Sequence, residues 1–567
     1  MTATVVAPAP PVATTQPTRR RVAWWRRPAV ACGLLLVIYM GLSLANDPRA
    51  FLGTDTGGKV ATLRAMDARG DLQPDLGYWA QAFDPHGTLH PIALTDHLRG
   101  ESVNVTTLPM LYAGYPLYEL GGLRAILLLP MLGGVLTALG ARTLARRLGG
   151  QGDLAFWLVG LFTPVVIYSL DFWEHTLGLA AMIWGIVVLF DVADRRAGWR
   201  GALLGGALFG VAATMRTEAF VYLAAVGVAM AWASRRRPLR EQARIGTAAL
   251  AGVALPLVAN QGLEQLVFGA GLRSSRASGA VSGGGGAVAN RVHEALTTIV
   301  GLNDYHGNLD FLIGGVTVGA FALAVVLLLA PEARRRRLGW VALGVAVLFY
   351  AASVGDGLGF LPGLLVASPL AVVGILVVHR RPSFRRPVAV ALGALPVVWF
   401  FQYGGGAHPQ WGGRYELCSG LLLAIVAAVA LETVPWRTVV AVVAVAGAVT
   451  GAGLAWLSQR SHGFAHAVAT LSAEPNPVVT TDIAHLWREG GAFYTPTRRW
   501  LTTNSRRQLP AAARVLEQTG AASFTLVSWP SPTTPPIPDR LGPYRRGSGR
   551  PLELVPGLVL RVTQYRR

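Results

Sequence analysis

Four short segments of this 567-residue chain hold charged side chains that stand outside its arginine clusters and near its apolar runs. Asp55 and Lys59 lie in Gly53-Thr54-Asp55-Thr56-Gly57-Gly58-Lys59, and Asp171, Glu174 and His175 in Asp171-Phe172-Trp173-Glu174-His175. Arg216 and Glu218 lie in Thr214-Met215-Arg216-Thr217-Glu218, and Arg414 in Gln410-Trp411-Gly412-Gly413-Arg414-Tyr415-Glu416, beside Trp411 and Tyr415. An aspartate can take the proton of an attacking hydroxyl in the transition state. Arginine and lysine can offset the charge that develops on a departing phosphate. Together these residue types suit transfer of a group from a phosphate ester to a hydroxyl.

The elements that must position them are membrane spans. With 52% hydrophobic and 14% charged residues, the chain is too apolar for a soluble protein of this length. Cys32 and Cys418 both sit in apolar runs and build no disulfide framework. The net charge of +20 comes almost wholly from arginine, Lys59 being the only lysine. The arginines fall in short clusters between apolar runs, which marks membrane sidedness rather than a nucleic-acid partner. A basic, low-complexity and disordered tail over 1–28 precedes a first span at 29–45. Further runs at 122–141, 154–170, 174–191, 201–214, 217–233, 245–267, 309–330, 338–353, 358–378, 388–403, 414–431 and 437–456 bring the total to about thirteen. Ser43-Leu44-Ala45 leaves a cleaved signal open as an alternative to an uncleaved first span.

Arginine clusters at 142–147, 195–200, 235–244, 334–337 and 380–386 fall on alternate loops. This pattern predicts a multi-pass plasma-membrane protein with a cytoplasmic N-terminus. The membrane domain is then 29–456, with a large first outer loop at 46–121 and a Gly-rich outer loop at 269–308. Residues 457–567 lie outside as a small α/β domain, with strands near 477–480 and 523–528 and a helix over 509–518. The expected fold is an α-helical polytopic membrane protein with an extracytoplasmic α/β C-terminal domain. In this topology all four charged segments sit at the outer ends of spans, at one depth, where ionisable residues are costly and therefore candidates for function. Apolar walls between spans suit a polyprenyl chain, so the parts fit sugar transfer from a lipid-linked phosphate. No G-x-x-x-x-G-K-[ST] loop offers an ATP site.

On these segments the chain resembles the GT-C class of integral membrane glycosyltransferases, such as protein O-mannosyltransferases, aminoarabinose transferases and actinobacterial mannosyl- and arabinosyltransferases. The resemblance implies that Asp55 is the loop-one catalytic base and that Asp171 and Glu174 are the acidic residues of the second outer loop. Trp411-Gly412-Gly413-Arg414-Tyr415 is similar to a Trp-Gly-x-Arg-Tyr signature, and Arg216-Thr217-Glu218 to an Arg-x-Glu element. Lys59, Arg216 and Arg414 are then expected at the donor phosphate, with His175, Glu218, Tyr415 and Trp411 orienting substrate. Many members carry two adjacent acidic residues in loop one. Here Thr56 follows Asp55, which weakens a metal-binding version of the loop. No cofactor is named by the sequence, and a divalent metal stays open. The acceptor is a hydroxyl of a glycan, lipid or protein, and the donor sugar is mannose or arabinose.

Plainer readings stand beside these. Asp55 can cap a helix or pair with Lys59 four residues on. Arg216 and Glu218 can form an internal ion pair, and Arg414 can snorkel to the interface. Asp84, His86, His90, Asp96 and His97 invite a metal but match no ligand spacing. Asn104-Val105-Thr106 matches a glycosylation acceptor. A transporter or flippase of lipid-linked sugars is the rival function, and it would want charges at the bilayer midplane.

Overall fold

The computed structural model describes residues 27–51, 53–104, 106–269, 287–303, 308–355, 360–401, 410–530, 535–555 and 558–567. The expected basic tail up to residue 26 and residues 270–286 of the Gly-rich loop lie outside them. The architecture is mostly helical. Ten helices open it: α1 (Pro28–Ser43), α2 (Thr54–Arg69), α3 (Leu108–Ala125), α4 (Leu128–Arg147), α5 (Asp153–Leu161), α6 (Val165–Ser169), α7 (His175–Ala193), α8 (Trp199–Met215), α9 (Ala219–Ser234) and α10 (Leu239–Phe268). Long helices at Asn308–Leu328, Ala333–Gly355, Arg385–Phe401, Leu417–Leu431 and Trp436–Ser472 follow.

Among the described residues six helices are long and apolar enough to cross a membrane, and four shorter apolar helices accompany them. Leu250, Leu255 and Val258 on α10 and Leu348 on Ala333–Gly355 are exposed, the surface expected of helices that face lipid. Four expected spans differ from the structure, the first being the run at 122–141, which straddles the junction of α3 and α4. The run at 154–170 is broken into α5 and α6 next to Pro164, and the run at 358–378 into Leu364–Ala367 and Pro369–Leu376. Proline supplies no N–H and disfavours helix in the residue before it, so each break falls beside one. The last run continues as helix to Ser472, well beyond 456.

The strands lie in three sheets. β1 (Thr95–Leu98) and β2 (Glu101–Asn104) form a hairpin, and β3 (Gly301–Asn303) pairs with β4 (Phe360–Pro362). The third sheet has the order β6-β5-β7-β10-β9-β8, from β5 (Val479–Thr481), β6 (Trp500–Thr502), β7 (Ser523–Ser528), β8 (Arg540–Leu541), β9 (Tyr544–Val555) and β10 (Leu558–Arg566). β5 runs parallel to β6 and β7, with the helix Leu509–Gln518 in the crossover from β6 to β7.

This sheet does not stand alone. One buried apolar cluster joins Ala61 and Ala65 of α2, Leu76 and Ile92 of the first loop, Val468 of Trp436–Ser472, and Trp487, Trp500 and Val527. Trp487 and Trp500 stack at its centre with ring centroids 4.3 Å apart. The helix that carries Asp55 therefore has one face on the membrane body and another on the sheet's core.

Candidate active site

Asp55 lies in the first turn of α2, whose cap is Gly53, so the capping role considered for Asp55 is not the one it has. One turn of α2 sends consecutive side chains to different partners. Thr56 Oγ1 donates to Asp171 Oδ2 at 2.7 Å, and Lys59 Nζ donates to Glu174 Oε2 at 2.5 Å. Glu174 Oε1 is 3.6 Å from Arg216 Nη1, and Arg216 Nε donates to Glu218 Oε1 at 2.8 Å. Asp55 Oδ2 is 4.0 Å from Arg414 Nη1. The four segments singled out in the sequence thus meet in one place, through side chains distant along the chain.

They form two layers. Lys59, Glu174, Arg216 and Glu218 are all buried and pair as two cations with two carboxylates. Such a set balances its own charge, which is what makes burial of ions tolerable. Lys59 and Arg216, expected at a donor phosphate, are instead committed to Glu174 and Glu218, and Lys59 pairs with Glu174 rather than with Asp55. Arg216 also lies over the Tyr415 ring, 5.1 Å from its centroid.

The outer layer is different. The Asp55 side chain is 31% exposed and sits between two guanidiniums, Arg414 and Arg488. Arg488 comes from the short helix Leu486–Glu489, beyond the last long helix, and its Nη1 is 3.1 Å from Asp55 Oδ1. Arg414 is held by rings, 4.6 Å from the Tyr415 centroid and 5.7 Å from that of Trp173. Two guanidiniums thus stand beside a carboxylate that solvent can reach. The same surroundings do not fit a metal: both Asp55 oxygens face guanidiniums, which repel a cation. Among the described residues no group of three His, Cys, Asp or Glu side chains is placed to hold one.

His175 and Trp411 pack as core residues. His175 is 4.2 Å from the Trp173 ring and 5.0 Å from Tyr168, and neither of its nitrogens finds a hydrogen-bond partner among the described residues. Trp411 lies on Trp456, at 5.6 Å, and on Gly453. These contacts fix the rings rather than present them to a substrate. Sequence reasoning missed Thr56, Arg488 and Asn104. Asn104 is buried: its amide donates to Ala93 and Leu94 carbonyls and its Oδ1 lies 3.4 Å from Arg488 Nη2, which removes the glycosylation reading. The ring of His90 is spent on Gly77 and Ile92 rather than on a metal.

An apolar cavity of about 290 Å³ lies between Asn308–Leu328, Ala333–Gly355 and Trp436–Ser472, lined by Phe321, Trp340, Leu343, Tyr350, Val366 and Val449. Val449 is seven residues from Trp456, or about 10 Å along the helix.

No family model matches the chain. It is 27% identical over 355 residues to the alpha-(1->6)-mannopyranosyltransferase B of Corynebacterium glutamicum, a match covering 61% of this chain and 53% of that protein. The chain thus spans about half the length of the curated relative it matches. Among solved structures it is similar to an oligosaccharyltransferase of Archaeoglobus fulgidus in its apo form, with TM-score 0.48 and 13% identity over 88% of this chain and 70% of that one. It is also similar to ArnT from Cupriavidus metallidurans bound to undecaprenyl phosphate, with TM-score 0.46 and 12% identity over 94% and 97% of the two chains. The likeness to GT-C membrane glycosyltransferases that its motifs carry is thus met by a curated mannopyranosyltransferase.

Proposed function

We propose that the protein is a membrane glycosyltransferase that moves a sugar from a polyprenyl-phosphate donor to a hydroxyl acceptor on the outer face of the membrane. The observation that carries this reading is Asp55, a solvent-reachable carboxylate with Arg414 4.0 Å from one of its oxygens. In one inverting step the acceptor oxygen bonds to the anomeric carbon as the bond from that carbon to the phosphate oxygen breaks. The hydroxyl proton passes to Asp55, and the lipid phosphate leaves with the electron pair. Arg414 offsets the charge that grows on that phosphate. Asp171, tied to Thr56, and Glu174, tied to Lys59, fasten α2 to the membrane body.

The sugar is of the mannose class, as in the name of the bacterial relative. The apolar cavity along Trp436–Ser472 offers room for part of the polyprenyl chain. The topology we propose has about thirteen spans and a cytoplasmic N-terminus, with the sheet of β5 to β10 outside. Support for the sidedness comes from α7, whose N-terminal end holds Glu174 and whose last turns hold Asp191, paired with Arg147. The charged site and an arginine cluster are therefore separated by the length of a span, about 28 Å.

The test is transfer by purified protein from labelled polyprenyl-phosphate mannose to a hydroxyl acceptor in liposomes. Wild type should form a new glycoside and a folded Asp55→Asn protein should not. Label that crosses the bilayer without a new glycoside would instead make the protein a flippase.

A further inference from the structure

The guanidinium nearest to Asp55 does not come from the membrane spans. Arg488 is 1% exposed and its guanidinium bridges α2 and β2. Nη1 is 3.1 Å from Asp55 Oδ1 and 3.5 Å from Thr54 Oγ1, and Nη2 is 3.4 Å from Asn104 Oδ1 on β2.

The backbone around Arg488 is pressed onto α2 at glycines from both sides. A Cβ on Gly57 would fall 1.9 Å from the Arg488 carbonyl oxygen, and one on Gly491 would fall 1.9 Å from the Gly57 carbonyl oxygen. A Cβ on Gly58 would meet Asn104 Oδ1 at 2.4 Å and Arg488 Nε at 3.1 Å. No side chain fits in this seam, so the outer segment and the first turns of α2 are held backbone against backbone. The segment is pinned from its other side as well, where Arg460 Nη2 of Trp436–Ser472 is 2.7 Å from Glu489 Oε2.

We infer that Arg488 is a positioning residue for Asp55: the outer segment, not the membrane body, sets the direction in which the catalytic carboxylate points. This inference rests on Asp55 being the base. By holding Oδ1, Arg488 leaves Oδ2 as the oxygen that can take the acceptor proton. A base aimed in this way meets the acceptor proton on the face from which attack must come. Removing the outer segment would then abolish transfer even with every span intact, because the carboxylate would lose its bearing.

The experiment compares full-length wild type, Arg488→Gln, Arg488→Lys and Asp55→Asn in the liposome transfer assay, with kcat, donor KM and the pH profile of kcat/KM. Arg488→Gln should lower kcat by about 100-fold with donor KM little changed, as misplacement of a reacting group does. Its acid limb should move up by about one pH unit, since loss of a neighbouring cation makes a carboxylate easier to protonate. Arg488→Lys keeps the charge but not the fork between Asp55 and Asn104. It should leave the acid limb in place while kcat falls by about tenfold. A merely structural arginine would lower the amount of active protein without moving the limb. If the Gln protein does not fold, a Lys protein with wild-type kcat overturns the inference by itself. An unmoved limb in a folded Gln protein overturns it too, provided Asp55→Asn is inactive. Should Asp55→Asn retain transfer, the base reading itself has failed and Arg488 has nothing to position.

Discussion

Two layers of charge, one turn of α2 apart, make opposite use of the same residue types. Below, Lys59, Glu174, Arg216 and Glu218 are buried and matched in sign. Above, Asp55 is partly exposed and outnumbered by Arg414 and Arg488. A neutral, dry network has no charge to lend to a substrate; its work is to fasten α2 to the turn at 171–175 and to the break between α8 and α9. The cluster around Asp55 leaves a partly exposed carboxylate within reach of a hydroxyl, beside two guanidiniums. Residue type alone did not separate the two roles. Which layer a residue occupies does.

The sharpest way to break this comparison is to neutralise one carboxylate in the outer layer. Asp55→Asn preserves shape and an acceptor for Arg488 but removes the base. Transfer should fall by about 10³-fold, with the melting temperature in detergent nearly unchanged. A large loss of thermal stability would mean that Asp55 belongs with the lower set.

Lys59→Met is the converse experiment. It strands Glu174 in a buried site with only Arg216 nearby, at 3.6 Å. Breaking a buried pair in this way costs about 3–5 kcal/mol. The yield of folded protein should drop, while the molecules that do fold keep most of their donor affinity. A raised donor KM in folded Lys59→Met would return Lys59 to the phosphate. Arg414→Gln should act in the opposite way, lowering kcat/KM for the donor by about 10- to 100-fold, the worth of a hydrogen bond to a charged group, with stability little altered.

Much of this arrangement was legible in the sequence because it depends on local exceptions to an apolar background. An Asp, an Asp-x-x-Glu-His, an Arg-x-Glu and an Arg-Tyr stand out where nearly everything else is Leu, Ala, Val or Gly. Of the pairings within the set, that of Arg216 with Glu218 was legible and the rest were not. That Lys59 meets Glu174 rather than Asp55 depends on how α2 is rotated, and that rotation is set by the fit of Gly57 against Arg488 and Gly491. Arg488 was hidden for a related reason: it is one arginine among many, in a tail segment whose only local sign is a Trp before it and a Gly-Gly pair soon after. The broken spans were hidden as well, since composition reads 154–170 and 358–378 as continuous and only the geometry beside Pro164 and Pro369 divides them.

The smallest expected effect separates the outer assembly from the buried network by pH. His90 in the first loop is buried between Tyr78 and Tyr494, at 5.1 and 6.3 Å, with its ring against Gly77 and Ile92. Burial, aided by His97 and opposed by the Gly77 and Ile92 carbonyls and by Asp75, pushes its pKa down from an ordinary 6.5 to about 4. The folded state therefore binds fewer protons than the unfolded state between these values. Stability from the neutral ring is present above pH 6.5 and drains away as pH falls toward 4. Over the unit from pH 6.5 to 5.5 the loss should be about 1 kcal/mol. It should be read most clearly by hydrogen exchange in the first loop, at residues 77–92. A His90→Gln protein should lose that slope while the exchange of α7 stays as in wild type. Equal acid sensitivity in both layers would mean that they unfold as one unit, and that the seam at Gly57 couples them more tightly than their charges divide them.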